Sequence, residues 1–474
     1  MFAQVARPRF LFSFAAMFVL AVVSLLLWNR HLPLRESSAE IANRYLPDRA
    51  ELQVKPGVNA EAYALYLRGR ELEEHLNDQD LQGARDLYQQ AILLDPKFAL
   101  ARARYSIVLS ETARSPVEIE QARVLAEEAL RLDPHLGPAH LARSLLFTKD
   151  GDENAAATEI DAALQASPKD AMVLYVAARL HRRQGKWKLA LEEYKQSHTL
   201  NPRDFNSAIA LAYTYAQLRD WPAAAQACDR SIAVAPQWYF NKICRAYLDL
   251  WWKGDAARAN ALLASVPPTY TGDFDNLLAW MRWDISLLQH NFNEADKALD
   301  AWRSDPMPSD DGPVPKIYLR GCIELVRDGR ARAVSSFDAA REFFEKEVRA
   351  HPKVARSHAQ LGTLYAFLGR KDDALREGLR AVELKPESED AYEGPGIASM
   401  LAVIYAQTGE TDKAIELVKR LLITPGALNF DTSITLNDLK LRWQWDPLRS
   451  DPRFQAIVNG PEPVTIIRSK RFQK

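Results

Sequence analysis

Nine histidines, three cysteines and several paired carboxylates are the residues of this 474-residue chain that could do covalent or metal chemistry. Their spacing assembles none of it. His135 and His140 are five apart and do not share a helix face. His181 and His198 fall in two different helical stretches and read as packing or surface residues. Glu73-Glu74 and Glu192-Glu193 are adjacent in sequence, which places them on solvated helix faces and not together in a pocket. Cys228, Cys244 and Cys322 contain no Cys-x-x-Cys pair, so a zinc ribbon or thioredoxin-type site is excluded. Phosphate-binding glycine loops, His-Glu-x-x-His and Gly-x-Ser-x-Gly are also absent from the sequence. The expectation is no catalytic residue, no metal, no cofactor, and a protein that is not an enzyme.

The elements that carry these residues follow a fixed period. Pro134, Pro168, Pro202 and Pro236 recur at intervals of 34, and Pro352 and Pro386 repeat that interval. Each ends an amphipathic helical stretch, because proline cannot continue a helix. Small residues keep register within the period: Gly362, Ala178, Ala212 and Ala402 are each followed twelve residues later by Ala374, Ala190, Ala224 and Ala414. Such pairs let two helices approach closely. A fixed period of this length means stacked supersecondary units. Strand signals are nearly absent, so the chain is expected to be all-α. Charged residues make up 26% with a net charge of −1, which gives no basic field for nucleic acid.

This pattern, Leu361-Gly362, Tyr365, Ala374, Ala381 and Pro386 in one copy, resembles the tetratricopeptide repeat. The resemblance implies a right-handed superhelix, an α-solenoid of helix-turn-helix units, about ten of them between roughly residues 60 and 425. It also implies that first helices line a concave groove for a protein or extended peptide. Carried onto this chain, the inward positions are Tyr175, Arg179, Arg182 and Arg183, then Asn206, Tyr213 and Gln217, then Phe240, Tyr247 and Trp251. Arginines beside aromatics suit a peptide with acidic and apolar residues. The lysine-and-asparagine clamp of chaperone-binding members is not matched, since Met172, Tyr175 and Arg179 stand at its positions.

Phe10 to Trp28 is 19 residues without a charge, nearly enough to span a ~30 Å hydrocarbon core. A cleaved signal peptide competes with this reading; the length favours an uncleaved anchor. The short basic tail 1–9 would stay inside, placing the array in the periplasm of a bacterium as a single-pass inner-membrane protein. A polar linker (29–59), a first repeat lobe (60–303), a proline-rich linker (304–316), a second lobe (317–425), capping helices (426–460) and a basic disordered tail (461–474) follow. Both Asp-Pro pairs, Asp446-Pro447 and Asp451-Pro452, are expected to start helices. Cys228 and Cys244 fall on neighbouring helices: a disulfide in an oxidising compartment, or two buried small residues, the reading taken here. Seven of eleven tryptophans lie between Trp221 and Trp302, as core filler or as a partner surface.

The start near Tyr63 and the Asp-Pro-Leu-Arg-Ser-Asp-Pro-Arg-Phe ending resemble the membrane-anchored repeat region of bacterial winged-helix, kinase and cyclase signalling proteins, without their effector domain. Two functions stay open: a membrane-anchored scaffold in envelope assembly or signalling, and the partner-sensing part of a regulator whose effector is separate or lost. A lipopolysaccharide-assembly role is disfavoured, because the cysteine-rich metal domain of that type is missing.

Overall fold

The computed structural model describes residues 58–467, apart from 74–77, 114, 203, 268–274, 303, 308–311 and 429–431. The expected span Phe10–Trp28 lies outside the described residues, none of whose helices is long and apolar enough to cross a membrane. Two compact units divide after Asp150. The first holds α1 (Ala60–Glu73), α2 (Asp78–Leu94), α3 (Ala99–Thr112), α4 (Pro116–Leu132) and α5 (Gly137–Asp150). Here α1 pairs with α2, α3 pairs with α4, and α5 packs on both α3 and α4.

The second unit starts with α6 (Glu153–Ala166), which packs on α7 (Ala171–Arg183). Helical hairpins then stack in order: α7 with α8 (Trp187–Leu200), α9 (Phe205–Gln217) with α10 (Trp221–Val234), α11 (Tyr239–Lys253) with α12 (Ala256–Ala264), and α13 (Asp275–Leu288) with α14 (Phe292–Asp300). The stack continues with α15 (Lys316–Asp328) and α16 (Arg330–Ala350), α17 (Ala355–Phe367) and α18 (Lys371–Leu384), and α19 (Gly394–Gln407) and α20 (Thr411–Ile423). The described chain closes with α21 (Leu436–Leu441), a 3-10 helix (Trp443–Leu448) and α22 (Pro452–Val458).

Local chemistry sets these boundaries. Asp170 accepts from the N–H groups of Met172 and Val173, and Asp204 from those of Asn206 and Ser207, so two first helices begin on a carboxylate cap. The α17–α18 turn needs a left-handed residue, which Gly369 supplies at φ +79°. Arg219 takes the equivalent place between α9 and α10 at φ +59°. The small residues of the period lie where the helices touch: Ala178, Ala190, Ala224, Ala374, Ala402 and Ala414 are fully buried. A Cβ on Gly362 would come within 3.1 Å of the Ala374 carbonyl and 2.9 Å of Ile404.

Several expectations need correcting. Trp302, Met307, Val314 and Leu319, on both sides of the expected lobe boundary, belong to one buried cluster running from Ala178 to Val458. Asp446-Pro447 lies inside the 3-10 helix and starts nothing, whereas Asp451 does cap α22. Glu193 is buried against His181, 2.8 Å from Nδ1, instead of solvated. Residues 461–467 are not a loose tail. Thr465 Oγ1 donates to the Leu218 carbonyl and Ile466 N to the Ile423 carbonyl, because those helix-end carbonyls lack helical partners. Of the tryptophans, Trp221, Trp251, Trp280, Trp283 and Trp302 are buried, which makes them core filler. Cys228 and Cys244 are free and buried, and burial pushes the Cys228 thiol up to about 12.

Candidate functional site

The ten residues expected to line a groove do fall on three consecutive first helices, α7, α9 and α11. Their face is partly covered. The chain's own C-terminal part lies on it, and the contacts form two zones of different character.

The first zone is at the end of α7. The Arg183 guanidinium reaches Asp390 at 2.7 Å and Glu393 at 2.8 Å from the α18–α19 turn, and Glu153 of α6 at 3.2 Å. The Ala391 N–H donates to the Arg183 carbonyl at 2.7 Å. Arg182 sits 4.0 Å over the Tyr392 ring, and its Nη1 donates to Thr214 Oγ1 at 3.4 Å. On the other side of Arg182 is the Tyr194 ring, whose edge meets Tyr175. Burial raises the Tyr194 hydroxyl, while the charges of Arg182 and Arg179 pull it back. Arg179 is half-exposed on this face.

The second zone is deeper. The Gln217 side-chain amide donates to the Leu428 carbonyl at 3.1 Å and accepts from the Gly426 N–H at 3.0 Å, gripping extended backbone at two points. Arg219 donates to the Ile434 carbonyl at 2.8 Å, and burial pushes its guanidinium down to about 10. Asn437 Nδ2 donates to the Trp251 carbonyl. Trp251 and Tyr247 are buried ring against ring, with Tyr213 at the edge of Trp251. Arg442 forms an ion pair with Asp284 of α13 and another with Asp438, all three side chains buried. Asn206 and Phe240, in the first turns of α9 and α11, are half-buried.

The stacked hairpins carry a 34-residue period and buried small pairs, and the tetratricopeptide repeat model matches residues 175–237 and 330–389. Those two stretches are similar to tetratricopeptide repeats. A curated relative is "Cellulose synthase operon protein C" of Xanthomonas axonopodis pv. citri, 26% identical over 409 residues, which cover 82% of this chain. The chain spans 24% of that relative's length. Among solved structures, Pseudomonas aeruginosa pilF is similar at 17% identity and TM-score 0.36, over 42% of this chain and 90% of that one. A tetratricopeptide repeat protein of Parabacteroides merdae is similar at 16% identity and TM-score 0.37, over 56% and 99%.

In this helical array the helix faces were legible and their occupant was not. Tyr392, Asp390, Glu393, Arg219, Asp284, Asp438 and Arg442 complete the site, and nothing in the 34-residue frame marks them. One signal was available. Arg219 stands at a turn where Gly185 and Gly369 occupy the matching places, and a left-handed arginine costs about 1–3 kcal/mol that some contact must offset. The two zones also differ in strength. Exposed ion pairs contribute about 0–1 kcal/mol each, whereas breaking a buried one costs about 3–5 kcal/mol. Glu393 is 48% exposed, while Arg442 and Asp284 are 6% and 7% exposed. The α7 contact is thus exposed at Glu393 and buried at Asp390.

Proposed function

We propose that this protein is a single-pass, membrane-anchored scaffold that binds protein partners through the first-helix face of its right-handed repeat superhelix, on the periplasmic side of a bacterial inner membrane. Tetratricopeptide repeats bind proteins and peptides, and arrays of them are typically scaffolds instead of enzymes. One observation carries the reading: α7 and α9 already hold backbone groups of other segments, through Gln217 on Gly426 and Leu428 and through the Arg183 carbonyl on Ala391. The uncharged run Phe10–Trp28 supports the anchor. The distant relative's name links that protein to a cellulose synthase operon, which makes envelope machinery the first place to look for partners.

Site-specific photo-crosslinking tests the binding claim. A crosslinker at Phe240, on the inner face, should trap a discrete protein in intact cells. One at Leu200, exposed at the end of second helix α8, should not. Equal trapping at both positions, or none at either, would count against a groove scaffold. A topology reporter fused after Lys474 tests the location. Activity of the cytoplasmic type would remove the periplasmic assignment.

A further inference from the structure

We propose that the end of α7 is a recognition site for a turn-forming protein segment of acid, small, aromatic, acid sequence, and that Asp390-Ala391-Tyr392-Glu393 occupies it in cis. The proposal rests on the protein-binding reading above and names the chemistry of its ligand.

Each of the four residues is read by a separate group. Asp390 and Glu393 share the Arg183 guanidinium, at 2.7 and 2.8 Å. A two-armed cation suits two carboxylates three residues apart on one turn. Ala391 gives its N–H to the Arg183 carbonyl, and its Cβ faces Gly185, where a side chain would come within 3.3 Å. Glycine at 185 leaves room for that close approach. Tyr392 lies flat under Arg182 at 4.0 Å, a cation–π contact that an aliphatic residue could not replace. A polyanion would satisfy Arg183 alone. The backbone bond and the stacked ring single out a polypeptide.

The cis segment is built to leave without unfolding. Nine residues join α18 to α19, from Lys385 to Glu393, whereas four suffice between α16 and α17. The turn also holds its own shape. Asp390 Oδ1 accepts from the N–H groups of Tyr392 and Glu393, and Arg420 grips Glu387 at the opposite end. These bonds persist when Arg183 lets go. A partner segment of the same chemistry then competes with the turn, and its apparent affinity is reduced by the fraction of molecules in which the turn is docked.

The test uses the full-length protein and a fluorescent peptide copying residues 386–396. Tyr392→Ala with Glu393→Gln weakens the cis contact and keeps the Asp390 turn. This variant should bind the peptide roughly tenfold more tightly than the wild type. Adding Arg183→Glu should abolish binding, and a peptide carrying Asp390→Lys and Glu393→Lys should restore it. A misfolded variant cannot produce that charge-swapped rescue. Equal affinity of wild type and opened variant, or binding that survives Arg183→Glu, overturns the proposal. Crosslinking at Phe240 separates the two claims. Partner capture that persists while the peptide fails rejects this ligand chemistry alone, and loss of both rejects the protein-binding reading as well.

Discussion

Arg442 and Asp284 are 158 residues apart in sequence and form a two-point ion pair of 2.6 and 2.9 Å with both side chains buried. Asp438 adds a third contact at 2.6 Å to Arg442 Nε and is itself fixed by Thr435. The triad ties the C-terminal cap to α13, in the tryptophan-rich part of the array where the 34-residue frame lapses.

Removing Asp284 leaves Arg442 buried with only one carboxylate. Asp284→Ala should destabilise the second unit by about 3–5 kcal/mol. Asp438→Asn should cost less. Burial already holds the Asp438 carboxyl above its ordinary value, and the amide oxygen can still accept from Arg442. Urea unfolding followed by far-ultraviolet circular dichroism would rank the two, and the reverse order would contradict this account.

Gln217 satisfies one N–H and one carbonyl of the segment that crosses α9. Gln217→Leu strands both, at a cost of about 1–3 kcal/mol. Hydrogen exchange should rise at Gly426 and around Ile434 before it rises in α9 itself. Asn206→Ala, half-buried in the first turn of the same helix, should change stability by less than about 0.5 kcal/mol.

Gly362 has no room for a methyl group. A Cβ there would meet the Gly378 backbone nitrogen at 3.0 Å and the Ala374 carbonyl at 3.1 Å, atoms that move only if α18 moves. Gly362→Ala should cost about 1–3 kcal/mol, despite alanine being the better helix former. A melting temperature at or above that of the wild type would show that α17 and α18 can separate without penalty.

Asp451 carries a pH dependence. The Arg453 side chain, and then its backbone N–H, hold the Asp451 carboxyl down to about 2 from an ordinary 3.8. A lowered folded-state value stabilises above the unfolded value and loses that stabilisation as pH falls from 3.8 towards 2. The difference in melting temperature between wild type and Asp451→Asn should therefore be present at about pH 6 and shrink through that window. A difference that widens on acidification would be the wrong sign.

Much of the site was legible one residue at a time. Arg182 and Arg183 meet the α18–α19 turn, and Tyr175 and Tyr213 pack beside Tyr194 and Trp251. Accessibility was misjudged, because Tyr392 and Leu428 lie some 210 residues further on than the helices they cover. His181 and Glu193 were likewise read singly, and their pairing across the α7–α8 hairpin was missed.

The amino-acid sequence by itself determined the helices, their caps and the close pairs such as Gly362 and Ala374. Those depend on steric and hydrogen-bonding rules acting within a few turns of chain. Only the tertiary structure decided that the array's inner face is occupied, by which segment, and how firmly. Those contacts join single residues about 150 to 250 positions apart, and their energy depends on burial that exists only once the helices have packed.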